Sequence, residues 1–243
     1  MKPFINLAVI GALLMLSAPS AHAQLFDALK REATKITTGS TGSFSQDEAI
    51  KGIKEALTNG VSKGTDIVSK LDGYYKNPQI KIPFPTEAQK VESAVRKIGL
   101  NKQADDAILS MNRAAEDAAK SAKDIFVNAI KQMTVTDAMN IIKGDTSAAT
   151  IFLKRTTSAS LIEKFTPIIK ASLDKVDATK YWSTVINAYN KIPFQQKVNP
   201  DLTAFVTQKA LDGLFVMIAQ EEGAIRRDPL ARTSEILKKV FGK

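Results

Sequence analysis

Hydrophobic residues recur at alternating three- and four-residue steps along most of the chain. The first such series is Ile50, Ile53, Leu57, Gly60, Gly64, Ile67 and Leu71. This spacing predicts one apolar seam of an α-helix, and its two glycines would allow a neighbouring helix to approach closely. Ser45 and Glu48 have the spacing of a capping box, which predicts the start of this helix.

A second seam is rich in alanine and predicts a long helix over residues 102–133. Its members are Ala104, Ile108, Met111, Ala115, Ala118, Ala122, Ile125 and Ala129. Small residues in a seam allow helices to pack closely inside a bundle. We therefore expect this helix to lie at the centre of the fold.

The remaining segments are also predicted to be helical and are separated by recognisable breaks. The stretch "YYKNPQIKIPFP" stops helical structure, because its prolines remove hydrogen-bond donors. Thr86 and Gln89 suggest a second capping box, leading into a helix that ends near "IGLNK". "TVTD" and "GDTS" are expected to begin two shorter helices. Asp201 is expected to cap a long helix, which "RRDP" interrupts before a short final helix that ends at Gly242.

Only "QIKI" has a pattern that suggests a strand. The predicted fold class is therefore all-α, a single multi-helix, bundle-like domain with an alanine-rich central helix.

The first 23 residues have the pattern of a secretory signal peptide. Lys2 precedes an apolar run over residues 8–16, and the small-residue exit Ala21-His22-Ala23 follows. The run is too short for a membrane-spanning helix, which needs about 20 apolar residues. No later segment is expected to span a membrane, so we expect a soluble protein, periplasmic or secreted, that begins near Gln24.

Residues 24–44 are expected to form a short amphipathic helix followed by a flexible linker. The helix would present Leu25, Phe26, Leu29, Ala33 and Ile36 on one side. The linker is "TGSTGS", and the all-helical domain would occupy residues 45–243. Whether the short helix covers the core or docks on a membrane surface stays open.

Composition excludes several kinds of chemistry from the exported chain. His22 is the only histidine and is removed with the signal peptide, and the chain has no cysteine. Nucleophilic catalysis by serine–histidine or cysteine–histidine pairs is therefore not expected. Metal sites that use histidine or cysteine are not expected either, and we predict no cofactor.

The net charge of +9 suits an anionic partner. An anionic envelope component or a lipid would fit, whereas export makes nucleic acid a poor candidate. No run of five like charges occurs, so the alternative of an ordinary solvated surface remains open.

The short motifs that suggest an exported enzyme are incomplete. Ser172 and Lys175 have the spacing of a serine–lysine hydrolase, but its other motifs are missing. Glu92-Ser93 resembles the acid of a helical cell-wall lytic enzyme, without a partner motif. No segment has the alternating acids and central glycine of a calcium loop.

A polar cluster interrupts the alanine-rich helix in "SMNRAAEDAAKSAK". On a helical wheel centred on Met111, Asn112 and Glu116 lie at the shoulder of the seam, where a neighbour would half cover them. Arg113, Asp117 and Lys120 lie farther round and are expected to form a solvated face, with Arg113–Asp117 and Glu116–Lys120 as ion pairs. The cluster is either structural or part of a ligand site.

A second polar anomaly lies in the C-terminal half. Glu222 shares a stripe with Leu211, Phe215, Ile218 and Ile225. A carboxylate on an apolar stripe needs a partner, and Arg226, four residues on, is the nearest candidate. We expect this pair to lock helix packing, and a polar pocket is the alternative.

An aromatic stripe and one repeated segment are the last candidate features of the sequence. Tyr181, Trp182 and Tyr189 share one helical side, which suits either the core or contact with sugar rings or lipid tails. "KIPF" occurs at residues 81–84 and 191–194 without any other repeat around it. We interpret the repeat as chance or as a similar exit turn.

Several longer segments of the sequence resemble those of a known family. They are "NPQIKIPFP", "MNRAAEDA", "FVNAIKQMTVTDAMNIIKGDTSAAT", "DLTAFVTQKALDGLF" and "EEGAIRRDPLARTSEILKKVFG". These segments resemble a bacterial exported family, domain of unknown function 4197, from about Ser45 to Gly242. The resemblance implies a single helical domain after a signal or lipid-anchor segment, and it implies no activity. It draws attention to polar positions inside the segments: Asn112, Arg113, Glu116, Asp145, Asp212, Glu222, Arg226, Asp228 and Arg232.

The sequence therefore predicts a helical envelope protein that is a binding or structural module and not an enzyme. Two alternatives are a carrier of a lipid or other amphiphile in a cavity between helices, and a cell-wall hydrolase that uses carboxylates alone. In the hydrolase, Glu116 or Glu222 would carry the proton.

Overall fold

The computed structural model describes residues 45–194 and 196–227. Within these ranges the chain forms eight α-helices, one 3₁₀ turn and no strand, so the fold class is all-α. The helices are α1 (Gln46–Val68), α2 (Gln89–Lys97), α3 (Asn101–Ala119), α4 (Ala122–Gln132), α5 (Val135–Lys143), α6 (Ala148–Asp174), α7 (Ala178–Tyr189) and α8 (Leu202–Arg227). The expected signal peptide, amphipathic helix and linker lie outside the described residues, as does the predicted short final helix.

Local capping explains where two of the helices begin. At α1, the backbone N–H of Ser45 donates to the Glu48 carboxylate (2.8 Å) and that of Glu48 donates to the Ser45 hydroxyl (3.2 Å). This confirms the predicted capping box. Thr134 and Asp137 form a second box that begins α5.

The box predicted at Thr86 and Gln89 was wrong. A 3₁₀ turn, Thr86–Ala88, begins there without a side-chain cap, and α2 follows it.

The long helix predicted over residues 102–133 is two helices. α3 ends at Ala119 and α4 begins at Ala122. At the junction both the backbone N–H (3.0 Å) and the hydroxyl (2.7 Å) of Ser121 donate to the carbonyl of Ala118. Such local bonds of serine compete with the regular helical pattern, so the helix is interrupted here, while Ala118 and Ala122 both stay buried.

"GDTS" begins a helix that is much longer than predicted. α6 has 27 residues and continues through Pro167. Proline inside a helix costs one backbone hydrogen bond, but Leu161, Phe165, Ile169 and Leu173 are fully buried along this helix. Burial of this apolar side stabilises α6 enough for the helix to continue past Pro167.

α8 packs against α1, α3 and α6. The predicted close approach at glycine is confirmed, because a Cβ on Gly64 of α1 would lie 3.3 Å from the Ile218 side chain of α8. Leu71, predicted in the same seam as Gly64, is 76% exposed because α1 ends at Val68.

α8 is also the only helix of the described part that is long and apolar enough to cross a membrane. The expectation that no later segment spans a membrane stays a prediction, because length and composition do not place a helix in a bilayer. Of its most apolar stretch, 61% is buried among the other helices, which is how a core helix of a helical bundle satisfies the same criteria.

A buried irregular segment, residues 69–85, connects α1 to the 3₁₀ turn. Tyr74, Ile80, Ile82 and Phe84 of this segment are all buried. The suggestion of a strand at "QIKI" was wrong, since this stretch has turn geometry and no strand partner. Buried backbone without a ladder must find other hydrogen-bond partners, and these come from α3.

The packing of α8 on this segment generates a first prediction. A Cβ on Gly213 would lie 2.6 Å from Tyr74 Cε1 and 3.1 Å from Ile80 Cβ. We expect Gly213→Ala to lower the free energy of unfolding by about 1–3 kcal/mol through overpacking, although alanine favours helix. Urea unfolding measures this change.

Gly60→Ala is the matched control. Its added Cβ would meet its nearest atoms, on Glu221 and Ile225, at 3.8 Å, an ordinary contact. We expect no loss of stability, or a gain of up to about 1 kcal/mol. Equal effects of the two substitutions would contradict the close approach at Gly213.

Candidate functional site

The Glu116 carboxylate on α3 is buried and fully engaged. Its Oε1 accepts hydrogen bonds from the backbone N–H groups of Tyr74 and Tyr75, both at 3.1 Å. Its Oε2 accepts from Arg113 Nη1 at 2.6 Å. The side chain is only 4% exposed. A buried carboxylate is tolerated when it is paired and hydrogen-bonded in this way.

Arg113 connects this buried carboxylate to the surface. Its second guanidinium nitrogen donates to Asp72 Oδ1 at 2.6 Å, and Lys76 pairs with Asp72 Oδ2 at 2.8 Å. These bonds from Lys76 and Arg113 lower the pKa of the Asp72 carboxyl. Asp72 has a left-handed φ of +68°, a conformation that aspartate adopts more readily than most residues.

Asn112 holds the same irregular segment at a second point. Its Oδ1 accepts from the backbone N–H of Ile82, and its Nδ2 donates to the carbonyl of Ile82, both at 2.8 Å. Nδ2 also donates to the carbonyl of Ile108 at 2.7 Å. The amide thus pairs with Ile82 as a neighbouring strand would, and it is completely buried.

Tyr74 joins this part of the core to α8. Its ring is buried, and its hydroxyl donates to the carbonyl of Ala210 at 2.5 Å. Burial, together with the negative charges of Glu116 and Asp212, raises the pKa of Tyr74 far above its ordinary value. The hydroxyl therefore stays protonated and remains a donor.

Glu222 on α8 makes an equivalent set of bonds at the start of α6. Its Oε1 accepts from the backbone N–H of Ala149 (3.0 Å), and its Oε2 accepts from the N–H and the hydroxyl of Thr150 (both 2.8 Å). These are the second and third positions of α6, which normally bond to an N-cap side chain. Ser147, at the N-cap position, makes no such bond. Glu222 therefore caps α6 from another helix.

Arg226 completes this second cluster. Its Nε donates to Glu222 Oε1 at 3.0 Å, and its Nη2 donates to the carbonyl of Ile141 in α5 at 2.8 Å. The predicted partnership of Glu222 with Arg226 is thus present. It ties α8 to the corner between α5 and α6, where the helix dipole of α6 also favours a carboxylate.

Five of the sequence-predicted residues lie in these two clusters: Asn112, Arg113 and Glu116 in the first, and Glu222 and Arg226 in the second. Asn112 and Glu116 are more deeply buried than the half-covered shoulder that the helical wheel predicted. The ion pairs predicted on the solvated face were wrong, because Arg113 bonds Glu116 and Asp72 while Lys120 bonds Asp117. Arg113 belongs to the network because segment 69–85 folds over it.

The other candidate positions have separate surroundings. Asp212 is half-buried and accepts from Gln208 at 3.0 Å. Asp145 accepts from the backbone N–H and the hydroxyl of Ser147, both at 2.8 Å, just before α6. Asp228 and Arg232 lie outside the described residues.

One residue of each incomplete enzyme motif forms a hydrogen bond with another side chain. Ser172 donates to Asp117 at 3.1 Å, and Glu92 accepts from Arg96 at 2.9 Å. Among the described residues, no group of three or more acids or histidines is arranged to hold a metal ion.

Two cavities lie near these features. One, beside Glu222 and Arg226, has a volume of about 20 Å³, which is room for about one water molecule. The other has a volume of about 220 Å³ and lies among Pro85, Val198 and Phe205. Ligand pockets usually measure about 300–1,000 Å³.

Sequence reasoning missed Asp72, Tyr74 and Thr150 as members of the clusters. The pair Asp72-Gly73 is a turn signal that would have predicted the left-handed turn. Nothing in the sequence near Thr150 indicates a capping partner 72 residues away.

The aromatic stripe predicted on α7 divides in the structure. Trp182 and Ile186 are buried, and the Trp182 ring contacts Phe84 with centroids 5.7 Å apart. Tyr181 and Val185 are exposed.

The capping role of Glu222 generates a second prediction. Glu222→Ala leaves Arg226 buried without its carboxylate and three donors of α6 without an acceptor. We expect the free energy of unfolding to fall by about 2–4 kcal/mol. Chemical denaturation measures it, with the exposed Glu163→Ala on α6 as a control that should change stability by less than about 0.5 kcal/mol. An unchanged unfolding midpoint for Glu222→Ala would contradict the capping role.

Asp72 generates a third prediction, on pH. Its pKa is lowered in the folded state from 3.8, so its contribution to stability is present above pH 3.8 and is lost as the pH falls through the lower folded value. We expect Asp72→Asn to be less stable than the natural chain at neutral pH. The two should be equally stable once the pH lies below the folded-state pKa of Asp72. Denaturation at a series of pH values measures the difference, and a difference that does not depend on pH would contradict the ion pair.

Comparison with known proteins gives one match. No curated protein and no solved structure matches the chain significantly. The family model described as "Protein of unknown function (DUF4197)" matches residues 43–242, which is most of the chain and contains both polar clusters. The chain therefore belongs to the DUF4197 family, as the resemblance of its longer segments predicted.

Proposed function

We propose that this protein is an exported, non-catalytic helical module of the bacterial envelope that binds through its surface. The proposal combines the signal-peptide pattern of residues 1–23 with the contacts of the polar clusters. The family description assigns no activity.

The contacts of the two buried carboxylates are the observation that carries this proposal. Glu116 and Glu222 each accept from two backbone N–H groups and an arginine. A general acid or base must reach a substrate proton within hydrogen-bond distance. Both carboxylates instead hold the backbone together, which supports a structural role.

The same contacts bear on the two alternatives. A carboxylate-only hydrolase would use Glu116 or Glu222, whose oxygens are occupied as described. Ligand cavities usually measure about 300–1,000 Å³, and the two cavities described above measure about 20 and 220 Å³. A module that binds through its surface needs neither a free carboxylate nor a large cavity.

The charge balance favours an anionic partner for such a surface. A net charge of +9 attracts anionic polymers and lipid headgroups, and attraction between exposed charges weakens as salt is added. Binding to envelope material should therefore depend strongly on ionic strength.

Cell fractionation and envelope binding test the proposal. We expect the protein in the periplasmic or envelope fraction, with an N terminus at Gln24 after signal removal, and Leu14→Arg in the apolar run should retain it in the cytoplasm. The purified protein should sediment with isolated envelopes at low salt and be released at high salt. A protein that stays cytoplasmic with Met1 intact, or that does not sediment with envelopes, would contradict the proposal.

A further inference from the structure

α7 and the turn after it present apolar side chains to solvent. Tyr181, Val185, Ala188 and Ile192 follow at steps of four, three and four residues, which places them on one helical side. Backbone bonds from Lys191 to Ala188 and from Ile192 to Tyr189 continue the helical path beyond the end of α7. Tyr181 is 64%, Val185 43% and Ile192 50% exposed. This set of four residues is called the α7 stripe.

Phe194, two residues beyond the α7 stripe, is fully exposed. It also has a left-handed φ of +61°. A bulky residue in this conformation is strained, and such strain concentrates at functional positions. An exposed phenylalanine next to an exposed isoleucine enlarges the apolar surface at this end of α7.

The two copies of "KIPF" show that this exposure is not dictated by the local sequence. In the first copy, Ile82 is 1% and Phe84 8% exposed, and both belong to the core. In the second copy, the equivalent Ile192 and Phe194 are on the surface. Identical residues are thus buried in the bundle at one place and exposed at the other.

The charges around the α7 stripe indicate the chemistry of a partner that would cover it. No acidic residue lies between Asp177 and Asp201, and the three lysines of this stretch, Lys180, Lys191 and Lys197, are exposed. Asp201, at the far end, accepts from the backbone N–H of Ala204 at the start of α8, and Asp174, before Asp177, is paired with Lys170. Exposed aliphatic and aromatic side chains among lysines are typical of helices that lie on anionic bilayers, and aromatic rings favour the membrane interface.

We propose that the α7 stripe, with Phe194 and the three lysines, docks the protein on the surface of an anionic phospholipid bilayer. α7, a helix about 18 Å long, lies along the membrane plane with the apolar side chains of the stripe at the boundary between headgroups and acyl chains. The lysines contact the anionic headgroups. This inference rests on the proposed envelope function and names the component bound.

Sedimentation with lipid vesicles tests the docking. The natural chain should bind vesicles of phosphatidylcholine and phosphatidylglycerol at low salt and bind pure phosphatidylcholine vesicles much more weakly. Ile192→Ser combined with Phe194→Asn should weaken binding by about tenfold, because two apolar side chains no longer enter the bilayer. Asparagine tolerates the left-handed backbone at position 194.

Two further variants separate apolar from charged contributions. Lys180→Glu and Lys191→Glu should each weaken binding to the phosphatidylglycerol vesicles by about fivefold. The control is Leu71→Ser with Ile151→Ser, whose positions are 76% and 60% exposed on other segments. We expect the control to bind as the natural chain does, and thermal melts should show that all variants are folded.

Several results would overturn the docking. They are failure of the natural chain to bind the anionic vesicles, and undiminished binding by the Ile192/Phe194 variant together with both lysine variants. Binding to isolated peptidoglycan or envelopes without binding to vesicles would overturn the docking and leave the proposed envelope function standing. Absence of binding to envelopes as well would overturn both.

Discussion

Buried backbone N–H groups need hydrogen-bond acceptors, and this requirement organises the described fold. Segment 69–85 enters the core without a strand beside it, and α6 begins without a cap of its own. In both places a side chain from a distant helix supplies the acceptor. Glu116 and Asn112 of α3 serve the segment, and Glu222 of α8 serves α6. The bonds to the segment replace those of a neighbouring strand, and the bonds to α6 replace those of an N-cap side chain.

The use of carboxylates for this purpose fixes the relative positions of the helices. A buried carboxylate without partners is strongly unfavourable, so α3 can pack only where the backbone N–H groups of Tyr74 and Tyr75 reach Glu116. The same reasoning fixes α8 against the start of α6 and the end of α5 through Glu222 and Arg226. Alanine seams alone would allow helices to slide by a turn, because one small apolar side chain resembles the next. The polar clusters remove that freedom.

The division between core and surface leads to the proposed function. The polar residues that first attract attention bond to backbone and arginine inside the bundle. On α7 and the turn after it, apolar residues and lysines share an exposed surface. Binding at this surface would use a rigid bundle as its platform, and the buried clusters supply that rigidity.

Helical periodicity was sufficient to predict the all-α class, the seam of α1 and the pairing of Glu222 with Arg226. These features depend on residues within a few positions of one another, and local spacing records them. The capping box at Ser45 was predictable for the same reason. The prediction of a capping box at Thr86 was wrong, because the chain enters a 3₁₀ turn there without a side-chain cap.

The sequence by itself determined which segments are helices and which side chains prefer burial. The tertiary structure alone decided that Glu116 bonds Tyr74 and Tyr75, that Glu222 caps a helix 72 residues away, and that one "KIPF" is core while the other is surface. The physical reason is that periodicity reports only the side on which a residue lies. The partner on that side is chosen when distant segments pack together, and their separation along the chain leaves no local signal.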